Sequence, residues 1–216
     1  MKILISTLFL FLFFQGCSFK SPKNQWEYNS ASAFNSYAKN FLTNNDELAN
    51  DDLNRAVKHA KQSANLEQLG RIYLGVCALN ISVGKKDNCK EYVKIDDLIL
   101  SLELKAYFLM LQNRLQKKDI LNLPVQYQEF SKYKYLKKYN LVFESMKNIE
   151  QPSSKFIVAS MIKNKMNKSE IKFIIKEASF YGFKKVILYW LEYLKQIEED
   201  KKEKEKIEKK LHVLKS

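Results

Sequence analysis

Glycine and proline are scarce in this sequence, at 5 and 3 of 216 residues. So few turn-forming residues cannot serve the frequent tight turns of a many-stranded sandwich, and the shortage points to helices. Arginine is nearly missing: among 37 basic residues it stands only at Arg55, Arg71 and Arg114. Base and phosphate recognition draws on the planar guanidinium fork. The basic residues are also spread along the chain, so the formal net charge of +13 does not argue for a nucleic-acid partner. Weak attraction to an anionic membrane surface or cell-wall polymer suits dispersed lysines better. Histidine is reduced to His59 and His212, neither with metal-ligand spacing, so no metal or other cofactor is expected. A glycine-rich phosphate loop, a serine nucleophile elbow and a zinc motif are all missing. With no catalytic constellation legible, the chain reads as a non-enzyme.

What is present begins at the first residues. Met1-Lys2 leads into an apolar run from Ile3 to Phe14, followed by Gln15-Gly16-Cys17. A positive charge, an apolar stretch and a small residue before the break are the three regions of a secretory signal peptide. The run is too short for a transmembrane helix, which needs roughly 20 apolar residues, and Lys20 and Lys23 follow soon after. Phe14-Gln15-Gly16-Cys17 resembles the lipobox of bacterial lipoproteins. It matches at Gly16 and Cys17 and departs at Phe14 and Gln15, where leucine and a small residue are usual. The resemblance implies that residues 1–16 are removed and that Cys17 receives a thioether-linked diacylglyceryl group, usually with a further acyl chain on the new terminus. Two or three chains anchor firmly where one does not. It also implies a body facing the periplasm, and Ser18 in place of aspartate favours the outer over the inner membrane.

Residues 17–25 then form the lipidated cysteine and a polar tether, and residues 26–197 a helical domain with a sub-boundary near 150. Apolar residues recur at helical spacing: Phe34, Tyr37, Ala38 and Phe41; Leu53, Ala56, Val57, Ala60 and Ala64; Leu66, Leu69, Ile72, Tyr73, Val76 and Leu79. Asn65 with Gln68 fits a capping-box-like start, and Gly84 is placed to stop the third stripe in a left-handed turn. A long helix is expected from about Asp97 to Gln116, with Leu98, Leu102, Ala106, Leu109 and Met110 on one side. Helix is favoured over strand across the aromatic and basic residues 119–149. Further helices are expected near 153–165, 169–180 and 183–198, the second capped by Asn167 and Glu170. Residues 198–216 read as a charged, exposed helical tail with acid-first pairs Glu198–Lys202, Asp200–Lys204 and Glu205–Lys209; a coiled-coil partner site is the other reading. Leu69-Gly70-Arg71-Ile72-Tyr73 resembles the opening signature of a tetratricopeptide repeat, and the stretch from Trp26 to Cys89 is similar to small bacterial lipoproteins. The fold expected is all-α: antiparallel helical hairpins in a compact bundle or short solenoid, ending in a charged helix.

Cys77 and Cys89 are the most informative residues after Cys17. Export to an oxidising compartment permits a disulfide between them, the other reading being two separately buried thiols. His59, beside Lys58 and Lys61, reads as a surface imidazole. Asp51-Asp52 and Asp96-Asp97 read as helix-start carboxylates. Tyr127, Phe130, Tyr133, Tyr135 and Tyr139, interleaved with lysines, would hold a sugar or peptide by stacking and charge, or else supply core and snorkelling surface. The function expected is a membrane-anchored periplasmic lipoprotein acting as a non-enzymatic scaffold with a protein partner in the cell envelope. A cell-envelope enzyme and a saccharide- or peptide-binding lipoprotein are the alternatives.

Overall fold

The computed structural model describes residues 24–216; the leader, Cys17 and most of the tether lie outside them. The first apolar stripe builds helix α1 (Gln25–Leu42) and the second α2 (Asp46–Ala60), which pair as an antiparallel hairpin. Ala33, Ala56 and Ala60 are buried where the hairpin meets Leu69 and Ile72 of α3 (Glu67–Ser82). Side chains this small let helix backbones approach closely, and the Ser30 hydroxyl donates to the Ala56 carbonyl at 3.0 Å. Helix α2 starts earlier than expected, because Asp46 and Glu47 fill its first turn where carboxylates favour the helix dipole. Asp51 and Asp52 therefore sit inside the helix and are not at its start. Asp52 is buried, accepting from Asn40 Nδ2 at 2.7 Å and pairing with Arg55.

The remaining helices are α4 (Lys90–Val93), α5 (Leu102–Leu111), α6 (Val125–Tyr135), α7 (Tyr139–Lys147), α8 (Pro152–Ile162), α9 (Lys168–Phe180), α10 (Lys184–Ile197) and α11 (Lys201–Lys215), and the described residues contain no strand. Helices α3 and α8 are apolar on nearly every side, the pattern of helices surrounded by others. They pack on each other, with the Ser160 hydroxyl donating to the Ser82 carbonyl at 2.9 Å. Helix α10 returns to α1: Lys185 lies 4.2 Å from the Phe41 ring centroid and pairs with Asp46. That return makes the fold a closed bundle of antiparallel hairpins instead of an open solenoid. One apolar core runs from Tyr37 to Leu211, with members on both sides of position 150. Pro152 is the first residue of α8, where its missing N–H costs nothing.

Five helices end in one device. After α1, α3, α5, α6 and α9 stand Asn44, Gly84, Asn113, Lys137 and Gly182, all with φ between 55° and 76°. At each, the left-handed residue donates to the carbonyl three back and its successor to the carbonyl five back from itself, as in Gly84 N to Ile81 O (2.9 Å) and Lys85 N to Asn80 O (3.0 Å). This is the Schellman arrangement. Lys137 alone carries a long side chain there, so Lys137→Gly is expected to stabilise by about 0.5–1 kcal/mol. The thermal midpoint would rise by roughly 1–4 °C, measurable by calorimetry.

Two expected boundaries are corrected. The stretch from Asp97 to Gln116 is not one helix, because Ser101 caps α5 by accepting from Leu104 N at 3.2 Å and Asn113 turns left-handed after it. Asp96 and Asp97 sit in a separate 3-10 turn, Asp96–Leu98. The extended link after that turn is held by Glu67, whose Oε1 accepts from Leu100 N (2.9 Å) and Ser101 N (3.1 Å). Leu98 and Leu102 consequently face outward, and Ile99 takes the buried place. At the start of α3, Asn65 Oδ1 accepts from Glu67 N (2.9 Å), while Gln68 reaches Ser30 instead of closing a box. The Asn167–Glu170 capping box is reciprocal, at 3.0 and 2.8 Å.

The charged tail is not an exposed extension. Helix α11 buries Ile207 and Leu211 against α10, and Lys215 pairs with Glu192 at 2.6 Å. The three acid-first pairs expected within it are not among the ion pairs of the described residues. Glu198 instead reaches Lys168 at 2.6 Å, and Asp200 caps α11 by accepting from Glu203 N. The Lys168 ammonium, then the Asp200 N–H, hold the Glu198 carboxyl below the usual carboxylate range. A lowered folded-state pKa contributes stability that is complete above the unfolded value and lost as pH falls through the folded one. Thermal midpoints should therefore drop on acidification below the usual carboxylate range, and Glu198→Gln should flatten that drop. An equally steep drop in the variant would remove this pair from the acid response.

Candidate functional site

Where α3 ends, the chain folds back and Cys77 and Cys89 are joined in a disulfide, Cα to Cα 5.2 Å, with both residues buried. The fold-back is set locally. Gly84 makes the left-handed turn, and Asp87 then accepts from Asn80 Nδ2 and from its own neighbour Cys89 N, both at 2.7 Å. Gln112, at the end of α5, donates to the Asp87 carbonyl at 3.1 Å and approaches the Cys89 sulfur at 3.2 Å. The part of Asp87 had a signal in the sequence that went unread: an aspartate two residues before Cys89 can bond that N–H as an Asx turn. Cys77, Asp87 and Cys89 place their ligand-type atoms within 4.8 Å of one another. With the sulfurs bonded together, neither is a thiolate, and Asp87 alone keeps ligand character.

Beside the disulfide a cleft of about 380 Å³ opens between α2 and α3. Leu53 and Val57 form one wall, Tyr73 and Val76 the other, and Lys86, Lys90 and Glu91 stand at its edge. Burial, then the Glu91 charge, raises the Tyr73 phenol above its ordinary pKa. Tyr37, nearby in α1, is pushed up to about 12 by burial and by Asp87 and Asp46. Both phenols stay protonated at neutral pH; Tyr37 belongs to the core, so the cleft itself offers apolar walls and the one neutral hydroxyl of Tyr73. That chemistry suits an apolar side chain of a partner better than proton transfer. In α4, the buried Tyr92 hydroxyl faces the Asp96 and Glu67 carboxylates, and burial together with these neighbours raises its pKa. His59 is a surface residue bonded to Gln62 at 3.2 Å, and His212 is exposed on α11.

The aromatic segment does not form one surface, because the period of α6 sends Tyr127, Phe130, Tyr133 and Tyr135 in different directions and Tyr139 belongs to α7. Tyr127 and Phe130 are core: the Tyr127 hydroxyl donates to Ser154 Oγ at 2.8 Å and its ring stacks on Tyr107 at 5.2 Å. Tyr133 is half-buried against the same core. Tyr135 and Tyr139 alone are open, bordering a pocket of about 220 Å³ with Lys134 and Lys137. Burial lowers the pKa of Lys134, and Lys165 lies 5.4 Å from the Tyr139 ring centroid.

The tetratricopeptide-like signature falls on α3, but the partner helix of such a repeat does not follow. The disulfide-closed turn and the single turn α4 stand in its place. No known protein family, curated protein or solved structure matches this chain.

Proposed function

We propose that the chain is a membrane-anchored lipoprotein of the bacterial cell envelope, whose helical body serves as a non-enzymatic interaction module. The observation that carries this reading is the Cys77–Cys89 disulfide. A buried bond of this kind belongs to an oxidising compartment, the same compartment that the leader from Met1 to Gly16 and the lipobox-like Cys17 address. Cys17 then holds the body at the membrane, outer in preference to inner. The apolar-walled cleft beside the disulfide supports a binding role. Mass spectrometry of the natural protein should find a mature terminus at Cys17 carrying diacylglycerol and an acyl chain. An unacylated protein starting at Met1 and recovered from the cytosol would overturn the anchor.

A second reading, a saccharide- or peptide-binding lipoprotein, is favoured by the open pair Tyr135 and Tyr139 beside Lys134 and Lys137. Glycan-array binding lost in Tyr135→Ala would select it.

A further inference from the structure

Helices α9, α10 and α11 make a trough. Helix α10 packs against both of its neighbours and forms the floor, with α9 and α11 as the two walls. Two adjoining cavities of about 320 and 490 Å³ run along it and share Ile175, Leu191 and Lys210. The floor is Ile187, Leu191 and Leu194; the walls add Ile175 from α9 and Ile207 and Leu214 from α11. From Ile187 to the Glu198 end the trough follows α10 for about 16 Å at the helical rise, roughly three turns. Three antiparallel helices around an apolar trough leave the fourth side of a four-helix arrangement open.

The rims choose the occupant. Lys172 and Lys176 stand on the α9 wall, Lys209 and Lys210 on the α11 wall, all exposed. None of the four forms an ion pair with a carboxylate among the described residues. The acids at the far end are already engaged, Glu198 with Lys168 and Glu203 with Lys206, each at 2.6 Å. Uncompensated cations therefore flank an apolar floor on both sides. The complementary shape and charge belong to a helix with one aliphatic face, anchored at i, i+4 and i+7, and glutamate or aspartate along both borders. Val213, 71% exposed at the α11 edge, extends the apolar surface that such a helix would cover. A flat anionic bilayer would meet the lysines but not the recessed Leu191 and Leu194, so a protein helix fits better than a membrane surface.

We infer that the α9–α10–α11 trough binds an acidic amphipathic helix of a partner protein. The inference rests on the interaction-module reading and names its surface. The test uses the full chain in neutral phosphatidylcholine nanodiscs and a fluorescent peptide of about 18 residues, long enough to be helical. The peptide carries leucine along one face and glutamate on both borders; a scrambled peptide and phosphatidylglycerol vesicles serve as comparisons. Anisotropy should show binding that weakens with salt and is lost with scrambling. The variant Lys172→Glu/Lys176→Glu/Lys210→Glu, checked for native circular dichroism, should bind roughly tenfold or more weakly and should instead accept the same peptide with lysine borders. Lack of binding by the acidic peptide, equal binding by the variant, or binding only to the anionic vesicles would each overturn the trough as a helix site. Such a failure leaves the lipid anchor and the cleft beside the disulfide untouched, because a lipidated Cys17 terminus is found or missed independently of the trough, so the two readings fail separately.

Discussion

Reduction of the Cys77–Cys89 bond should cost about 3 kcal/mol of stability and lower the thermal midpoint by roughly 6–12 °C. The bond closes a loop of sequence separation 12, and opening it returns that much chain freedom to the unfolded state. Cys89 also holds a left-handed backbone, φ 55°, which a non-glycine residue keeps only when its surroundings insist. Urea unfolding with and without reductant, followed at Trp190, measures the effect. The double alanine variant should match the reduced protein. Serine should do worse, because each hydroxyl would enter a site that is at most 2% exposed. A loss below about 1 kcal/mol would mean that Asp87 and Gln112 hold the turn without the bond.

Gly84→Ala should be comparably severe, at about 2–5 kcal/mol. Part of this is backbone: at φ +76° a side chain costs about 1–2 kcal/mol. The rest is collision, since a Cβ at this glycine would run into the Tyr189 ring on α10 at Cε2, and overpacking of this kind costs about 1–3 kcal/mol. Gly182 separates the two contributions. It shares the left-handed backbone, φ +68°, but has open space where its Cβ would go. Gly182→Ala should therefore show the backbone cost alone. Tyr189→Leu in the Gly84→Ala background should recover part of the collision cost, and equal losses at the two glycines would disprove the close approach.

The helical class was readable because its signals are local. Spacing of apolar residues located α1, α3, α8, α9 and α10 to within a few residues of their ends. Gly84, Gly182 and the Asn167–Glu170 box announced their stops and starts. The errors came where a distant contact decided the outcome. Glu67 reaches across to Leu100 and Ser101 and breaks a continuous apolar run that looked helical to the end. Lys168 draws Glu198 away from the i,i+4 partner that periodicity had given it. The aromatic segment misled for a different reason: interleaved tyrosines and lysines look alike whether they face a ligand or a core, and only the burial of Tyr127 against Ser154 of α8 sorted it from Tyr135. The lysine-edged trough could not be read at all, since its walls come from three separate helices.

The seating of α10 against α1 also bears on when this protein acquires its shape. Asp46 and Lys185 stand 139 positions apart, so the opening hairpin gains its last neighbours only after most of the chain has emerged. Contacts so remote in sequence delay completion of folding, and meanwhile the hairpin waits with one flank uncovered, a target for chaperones. A polypeptide that finishes late stays threadable for longer.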